Sequence, residues 1–416
     1  MTQRISKKKA PRAAPPAERP AKSPVKERAL RFGVESAFQV LARAQELEAA
    51  GKTVIHLEIG QPDFPTPPNV CEAAIQALRE GKTGYGPAPG LPELRAAIAE
   101  DAGRRRGLSF RPGQVIVTPG AKPIILYAIQ ALAGEGDEVV HPDPGFPMYA
   151  SLIAHAGAKP VALPLREEHG FGFDADEFRE RLSARTRLVI VNSPHNPTGG
   201  TLREEDLAVI AEESGRRGFA VLSDEIYINF LYEGSFRTIA SFPGMADRTI
   251  ILDGFSKSYS MTGWRLGYGI VPPSLAEAFE LLNVNIVSCA ATFSQYGAVE
   301  AIRGTQEPLR RMVDEFRSRR DFLVAALRRL PGVRCALPGG AFYAFPNVQG
   351  TGLGSIELAR LLLEEAGVAT LAGNSFGRSG DGYLRLSYAS SMANLEKAVE
   401  RMERFLKGPL GRARES

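Results

Sequence analysis

From residue 54 to residue 271 the chain repeats one pattern: a short apolar run rich in Val, Ile and Leu, a turn, and a stretch with helical spacing. The runs are VIHLEIG, QVIVTPG, DEVVHPDP, KPVALPL, TRLVIVNSP, FAVLSDEIY, TIILDGFSK and RLGYGIV. Most are continuously apolar rather than alternating, so the strands they predict are buried on both faces, and the helical stretches between them supply the crossovers that parallel pairing requires. An α/β fold follows, with a mainly parallel sheet flanked by helices. In open sheets of this kind ligands bind outside the carboxyl ends of the strands. Gly120, Asn196, Asp224 and Lys257 each come just after such a run, which makes them the first candidates for chemistry.

The flanks of this region read differently. Residues 1–26 hold eight basic residues against one acid, Glu18, with five prolines and no apolar period, so the net charge of +4 conceals −3 over the rest of the chain. Such a segment cannot bury enough apolar surface to offset its ordering entropy, and residues 1–29 are expected to be a disordered basic tail. It lacks the apolar core of a secretory signal, and a solubilising extension is favoured over a nucleic-acid or membrane-surface role. Order is expected to begin near Leu30, with a helix in VESAFQVLARAQELEAAG burying Val34, Phe38, Leu41, Ala42 and Leu47. After about residue 300 the texture changes to a long charged helix, EPLRRMVDEFRSRRDFLVAALRRL, followed by GVRCALPGGAFYAFPNV, two shorter helices and a strand, YLRLSYA. The expected division is therefore 30–60 packing with a small α+β domain over 301–416, and a large domain over 61–300.

Composition bounds the function. No run reaches the ~18 to 20 apolar residues of a membrane span. Cys71, Cys289 and Cys335 are far apart and in no C-x-x-C arrangement, which suggests neither a disulfide framework nor a metal site and fits a reducing cytoplasm. The most informative segment is GFSKSYSMTGWRLGY, residues 254–268. A lysine at the end of a buried strand is partly desolvated, which lowers its pKa toward nucleophilic Schiff-base chemistry. Arg265, eight residues on, and Ser256 suit a phosphate. In VTPGAKPI a strand turns through Gly120 into a helix with Pro123 in its first turn, so backbone N–H groups of Ala121 and Lys122 would face an anion. Asn196 lies between Pro194 and Pro197, which exclude helix there. Asp224 closes a strand with Tyr227 three residues on; alone it reads as readily as a helix cap.

Taken together, GQPDFPTP (60–67), GYGPAPGLPELR (84–95), GAK (120–122), NSPHNPTG, SDEIY, SKSYSMTGWRLGY and YLRLSYA come in the order and spacing of the class I aminotransferases of fold type I. From Leu30 to Leu406 the chain resembles that family, near its aspartate and alanine branch. The resemblance implies pyridoxal 5'-phosphate held as a Schiff base on Lys257, which also shuttles the substrate proton. It implies that Asp224 pairs with the pyridine nitrogen, Asn196 and Tyr227 bond the 3-oxygen, Phe146 stacks on the ring, and Ala121, Lys122, Ser256 and Arg265 hold the phosphate. Arg385, with Gly60 and Asn196, resembles the grip on a substrate α-carboxylate. Tyr85 matches a tyrosine that family members reach across with from the neighbouring subunit, implying a homodimer. The implied reaction is ping-pong transfer from an L-amino acid, aspartate- or alanine-type, to a 2-oxo acid, 2-oxoglutarate first among them. Two rivals differ in outcome: a lyase, decarboxylase or racemase on the same lysine and aspartate, and a cofactor-sensing regulator, which would need a DNA-binding domain of about 60 residues where only some 26 unpatterned ones stand. Two departures are visible: Pro123 stands where many relatives have glutamine, and Phe146 where several have tryptophan or tyrosine.

Overall fold

The computed structural model describes residues 36–408. The basic tail expected over 1–29 lies outside them, as do residues 30–35, where order was expected to begin. Among the described residues twelve strands run in chain order: β1 (Ile55–His56), β2 (Val115–Thr118), β3 (Glu138–Asp143), β4 (Lys159–Pro164), β5 (Thr186–Asn192), β6 (Ala220–Asp224), β7 (Thr249–Gly254), β8 (Gly267–Ile270), β9 (Tyr343–Ala344), β10 (Val368–Ala369), β11 (Leu371–Ala372) and β12 (Leu384–Ser387). Seven form one sheet in the order β2-β8-β7-β6-β5-β3-β4. Every pairing is parallel except those of β8, which runs antiparallel to both neighbours.

The sheet is buried on both sides, as the unbroken apolar runs require. Successive residues on a strand point to opposite faces. Leu188, Ile190, Leu222, Ile250 and Leu252 accordingly pack into one cluster with Ile124, Tyr127 and Ala128 of the helix Lys122–Leu132. Val189, Val191 and Val221 pack into another with Phe178, Leu207 and Ile210. Cutting one such side chain back to Ala would cost about 2–5 kcal/mol.

The C-terminal part contains the long helix Glu307–Leu327, the helices Ser355–Glu364 and Met392–Lys407, and a sheet in the order β11-β12-β9. The last helix shows why it forms. Ser391 caps it by accepting from the Asn394 N–H. Leu395, Ala398, Val399, Met402, Phe405 and Leu406 make its buried stripe, and the outer face carries Glu400–Arg404 and Glu403–Lys407 pairs at i, i+4. VIHLEIG contributes only a two-residue strand, β1, which pairs in parallel with β10 rather than joining the large sheet.

The first helix spans Ser36–Ala49, but its buried face is not the expected one. Ala37, Ala44 and Leu47 are buried, whereas Phe38 is 60% exposed and Ala42 is also exposed. The helix docks through small residues against Leu363, Ala369, Phe345 and Leu371, leaving Phe38 on another side.

Candidate active site

The carboxyl ends of β5, β6 and β7 open onto a cavity of about 700 Å³. Gly60, Ala121, Lys122, Phe146, Asn196, Asp224, Tyr227, Ser256, Lys257, Arg265 and Arg385 all line it. Tyr85 does not; its side chain is 94% exposed on the surface of its own chain. Ser36, Ala37 and Phe38 of the first helix also face the cavity, which accounts for the exposure of Phe38.

Asp224 and Asn196 are held by hydrogen bonds within the sheet end. The Tyr149 hydroxyl donates to Asp224 Oδ2 at 2.6 Å and the Ile226 N–H to Oδ1 at 3.2 Å. Burial pushes the Asp224 carboxyl up to about 6, these two donors acting against the rise. On the neighbouring strand Asn192 staples the turn: its Nδ2 donates to the Asp224 carbonyl at 2.9 Å and its Oδ1 accepts from the Asn196 N–H at 2.9 Å. Tyr149 and Asn192 were not singled out from the sequence, although DPGFPMY puts Tyr149 three residues after Phe146, in the first turn of the helix Met148–His155. Phe146 meets Tyr149 edge to face, with centroids 5.7 Å apart.

Lys257 Nζ donates to the Gly60 carbonyl at 2.6 Å and lies 6.0 Å from the Phe342 ring centroid. A side chain on Gly60 would collide with the Tyr343 hydroxyl. That hydroxyl lies 2.7 Å from the Tyr227 hydroxyl, and burial holds the Tyr227 phenol well above its usual range, so it stays protonated and able to donate. Tyr343 lies in the GAFY stretch, which carries no local motif that points to the site.

The phosphate side is shaped by glycine and by a loop tied in place. Gly120 has φ +79°, and a side chain there would strike the Arg265 guanidinium. A residue with a Cβ would therefore be strained in backbone and blocked in space. Next to it the helix Lys122–Leu132 starts after Ala121 with Pro123 in its first turn, and a helix start attracts anions. Ser260 and Arg265, both at φ 53°, bend the segment that follows Lys257. Thr66 ties this segment down: its hydroxyl donates to the Ser260 carbonyl at 2.8 Å and accepts from the Trp264 indole N–H at 3.0 Å.

Arg385, at 4% exposure, comes from β12. Its Nη1 donates to Asn196 Oδ1 at 3.3 Å and its Nη2 to the Glu58 carbonyl. The guanidinium is sandwiched between the rings of Tyr343 and Phe376, 4.6 and 5.0 Å from their centroids. Its fork is thereby fixed in plane, which suits a planar carboxylate.

The donor set fits a phosphorylated pyridine aldehyde: an amine for a carbonyl, a buried carboxylate for a ring nitrogen, a helix start with an arginine for a phosphate, and cradles at Gly60 and Gly120 that a Cβ would fill. Comparison with known proteins agrees. Residues 52–402 match the family model described as aminotransferase class I and II. The chain is 41% identical to a probable aspartate/prephenate aminotransferase of Aquifex aeolicus, over 88% of this chain and 94% of that one. It is 39% identical to an aspartate aminotransferase of Pyrococcus horikoshii, over 92% and 97%. The crystal structure of an aromatic aminotransferase from Pyrococcus horikoshii superposes with a TM-score of 0.83 at 40% identity, covering 88% of this chain and 98% of that one. On this agreement of fold, site and relatives, the chain belongs to the aminotransferase class I and II family and is a fold type I enzyme that moves amino groups between amino acids and oxo acids.

Proposed function

We propose that the cavity binds pyridoxal phosphate covalently through Lys257 and that the donor is an L-amino acid of the aspartate type, with 2-oxoglutarate as acceptor. The observation that carries the reading is the convergence on one cavity of Asp224 and Lys257, at the ends of β6 and β7, with Arg385 from β12. When bound, the cofactor supplies an electron sink for the charge left at the substrate Cα.

The residues divide the remaining work. Asp224, oriented by Tyr149, keeps a proton on the ring nitrogen. Asn196 and Tyr227 bond the 3-oxygen, and Phe146 bears on the ring face. Backbone N–H groups of Ala121 and Lys122, the Ser256 hydroxyl and Arg265 take the phosphate. Arg385, with Gly60 and Asn196, would orient the α-carboxylate, and Lys257 Nζ would take the Cα proton and return it to the carbon on the far side of the substrate nitrogen. The Lys122 ammonium lies 5.4 Å from the Phe146 centroid on the cavity wall, and relatives at 39–41% identity named for aspartate support an acidic substrate. The outward Tyr85 supports a homodimer in which it serves the neighbouring site. The β1–β10 pairing supports grouping 30–60 with a small domain over 301–416, against a large domain over 61–300. Among the described residues no helix is long and apolar enough to cross a membrane, and three free cysteines fit the reducing cytoplasm proposed as its location.

The test is a single-turnover panel of amino acids against the cofactor-loaded enzyme, followed by absorbance and by release of the 2-oxo acid. Aspartate and glutamate should react fastest. If alanine, an aromatic residue or methionine reacts as fast as either, the acidic assignment fails.

A further inference from the structure

Behind the site, on the side of the sheet away from the cavity, lies a buried set of charges that the proposed chemistry does not use. Glu225 follows Asp224 directly, and Asp253 lies four residues before Lys257; both are 1% exposed. Arg106, from the end of the helix Pro92–Arg106, reaches both: Nε to Glu225 Oε2 at 2.6 Å and Nη2 to Asp253 Oδ2 at 3.0 Å. Its side chain is fully buried. The surrounding elements complete the set. Arg105 bonds Asp101 and Asp253, and Arg104 bonds Asp101. The Tyr268 hydroxyl donates to Asp253, with Tyr259 close by, and Ser223 and Thr238 donate to Glu225 Oε1.

As a device for stability this arrangement is poor. A buried ion cluster is often matched or bettered by apolar side chains of the same volume, because desolvating the charges offsets their attraction. Its position says more. Asp224 and Asp253 lie on two adjacent strands with Glu225 directly after the first, and Asp253 and Glu225 add to the rise that burial imposes on Asp224. Without a counter-charge their field would fall on the Asp224–Lys257 end of the sheet, in a medium that screens little.

We propose that Arg106 is a positioning residue for the transamination centre, holding Glu225 and Asp253 from behind the sheet and cancelling their charge, so that Asp224 alone sets the field at Lys257. This rests on the assignment of Lys257 and Asp224 made above. Arg106 touches neither substrate nor cofactor; it acts through its two carboxylates.

The test uses the cofactor-loaded enzyme and three variants: Arg106→Gln, Glu225→Gln and the double substitution. The readout is the pH at which the absorbance of the Lys257-linked chromophore titrates. Arg106→Gln leaves Glu225 without its cation and Asp253 with Arg105 alone, and should raise that pKa by about half a unit to one unit, since negative charge favours the protonated nitrogen. Glu225→Gln leaves a surplus cation and should lower it by a similar amount. The double variant should return close to the parent value, an opposition and cancellation that a loss of packing does not produce. Shifts in the same direction, no shift, or no return in the double variant would each overturn the proposal. Should Arg106→Gln not fold, Glu225→Gln decides alone, since it keeps the shape and removes only charge. Lys257→Ala, run alongside, must lack the chromophore; if it keeps it, the Lys257 assignment fails, and the proposal with it.

Discussion

The two halves of the cavity are built by different means. Asp224, Asn192 and Tyr149 stand within or beside the ladder of β3, β5 and β6, their side chains bonded to one another and to strand backbone. The carboxylate half instead joins Glu58 and Gly60, Asn196, Tyr343 and Arg385, and the bond from Arg385 to the Glu58 carbonyl spans 327 positions of chain. A strand ladder fixes its own end residues, so the first half is preorganised by the sheet and by the helix Met148–His155 that carries Tyr149. The second exists only while the C-terminal sheet is docked against the loop after β1. The difference teaches where damage should spread: a change in the first half should reach cofactor and chemistry for every substrate, and a change in the second should reach substrate alone.

The strongest test of that contrast is Lys257→Ala. The cofactor-linked absorbance and turnover should both vanish while circular dichroism shows the fold retained, because the amine at the end of β7 that forms the link is lost. Normal turnover would refute the assignment of the first half outright. Next in size is Asp224→Ala. The chromophore should still form, but single-turnover proton abstraction should slow by orders of magnitude, since the ring nitrogen loses the partner that keeps it protonated. A rate equal to the parent's would remove Asp224 from that role.

Arg385→Ala probes the other half. Losing a desolvated charge pair should cost about 2–5 kcal/mol, a fall in kcat/KM of roughly 30-fold to several thousand-fold for every donor and for the oxo-acid acceptor, with cofactor affinity unchanged. Arg385→Lys should recover only part of this, as an ammonium cannot reproduce the fork. Arg265→Ala should do the reverse, weakening cofactor retention. If Arg385→Ala sheds cofactor, the two halves are not separable in the way their construction implies.

The smallest effect is on the cofactor-free protein. Between about pH 4 and 6 the folded chain holds the Asp224 proton more tightly than the unfolded chain does, so stability falls as pH rises through that window. Asp224→Asn removes the buried charge and should raise stability above pH 6 by up to about 3 kcal/mol, with the gap closing below pH 4. Melting curves of both proteins at pH 4 and 7.5 measure it. Equal differences at the two pH values would mean that the carboxyl is not burdened by its burial.

Much of the cofactor half was legible in the sequence because strand runs announce their own ends: Asp224 closes FAVLSD and Lys257 follows TIILDGF, so chemistry and position are read together. The carboxylate half was harder. Arg385 could be named through its motif, but Tyr343, Phe376 and Phe342 carry no local sign of what they face, since it lies in another segment. The first helix shows the same limit. Its period gave the helix, yet a stripe of two alanines and one leucine, not the bulky Phe38, turned out to be buried, because Phe38 faces the cavity instead. Arg106 sat unnoticed in a run of three arginines, and burial alone sets it apart from Arg104.

Trp264 is the one tryptophan of the chain, and it sits on the short segment between Lys257 and Arg265, its indole N–H engaged by Thr66. Tryptophan emission from this protein therefore originates at a single place, between Gly263 and Arg265 of the cavity lining. A chromophore arriving on Lys257 would quench that emission by energy transfer, and release of the Thr66 bond would shift its wavelength. The molecule carries its own optical reporter of cofactor loading, legible without a label and without turnover.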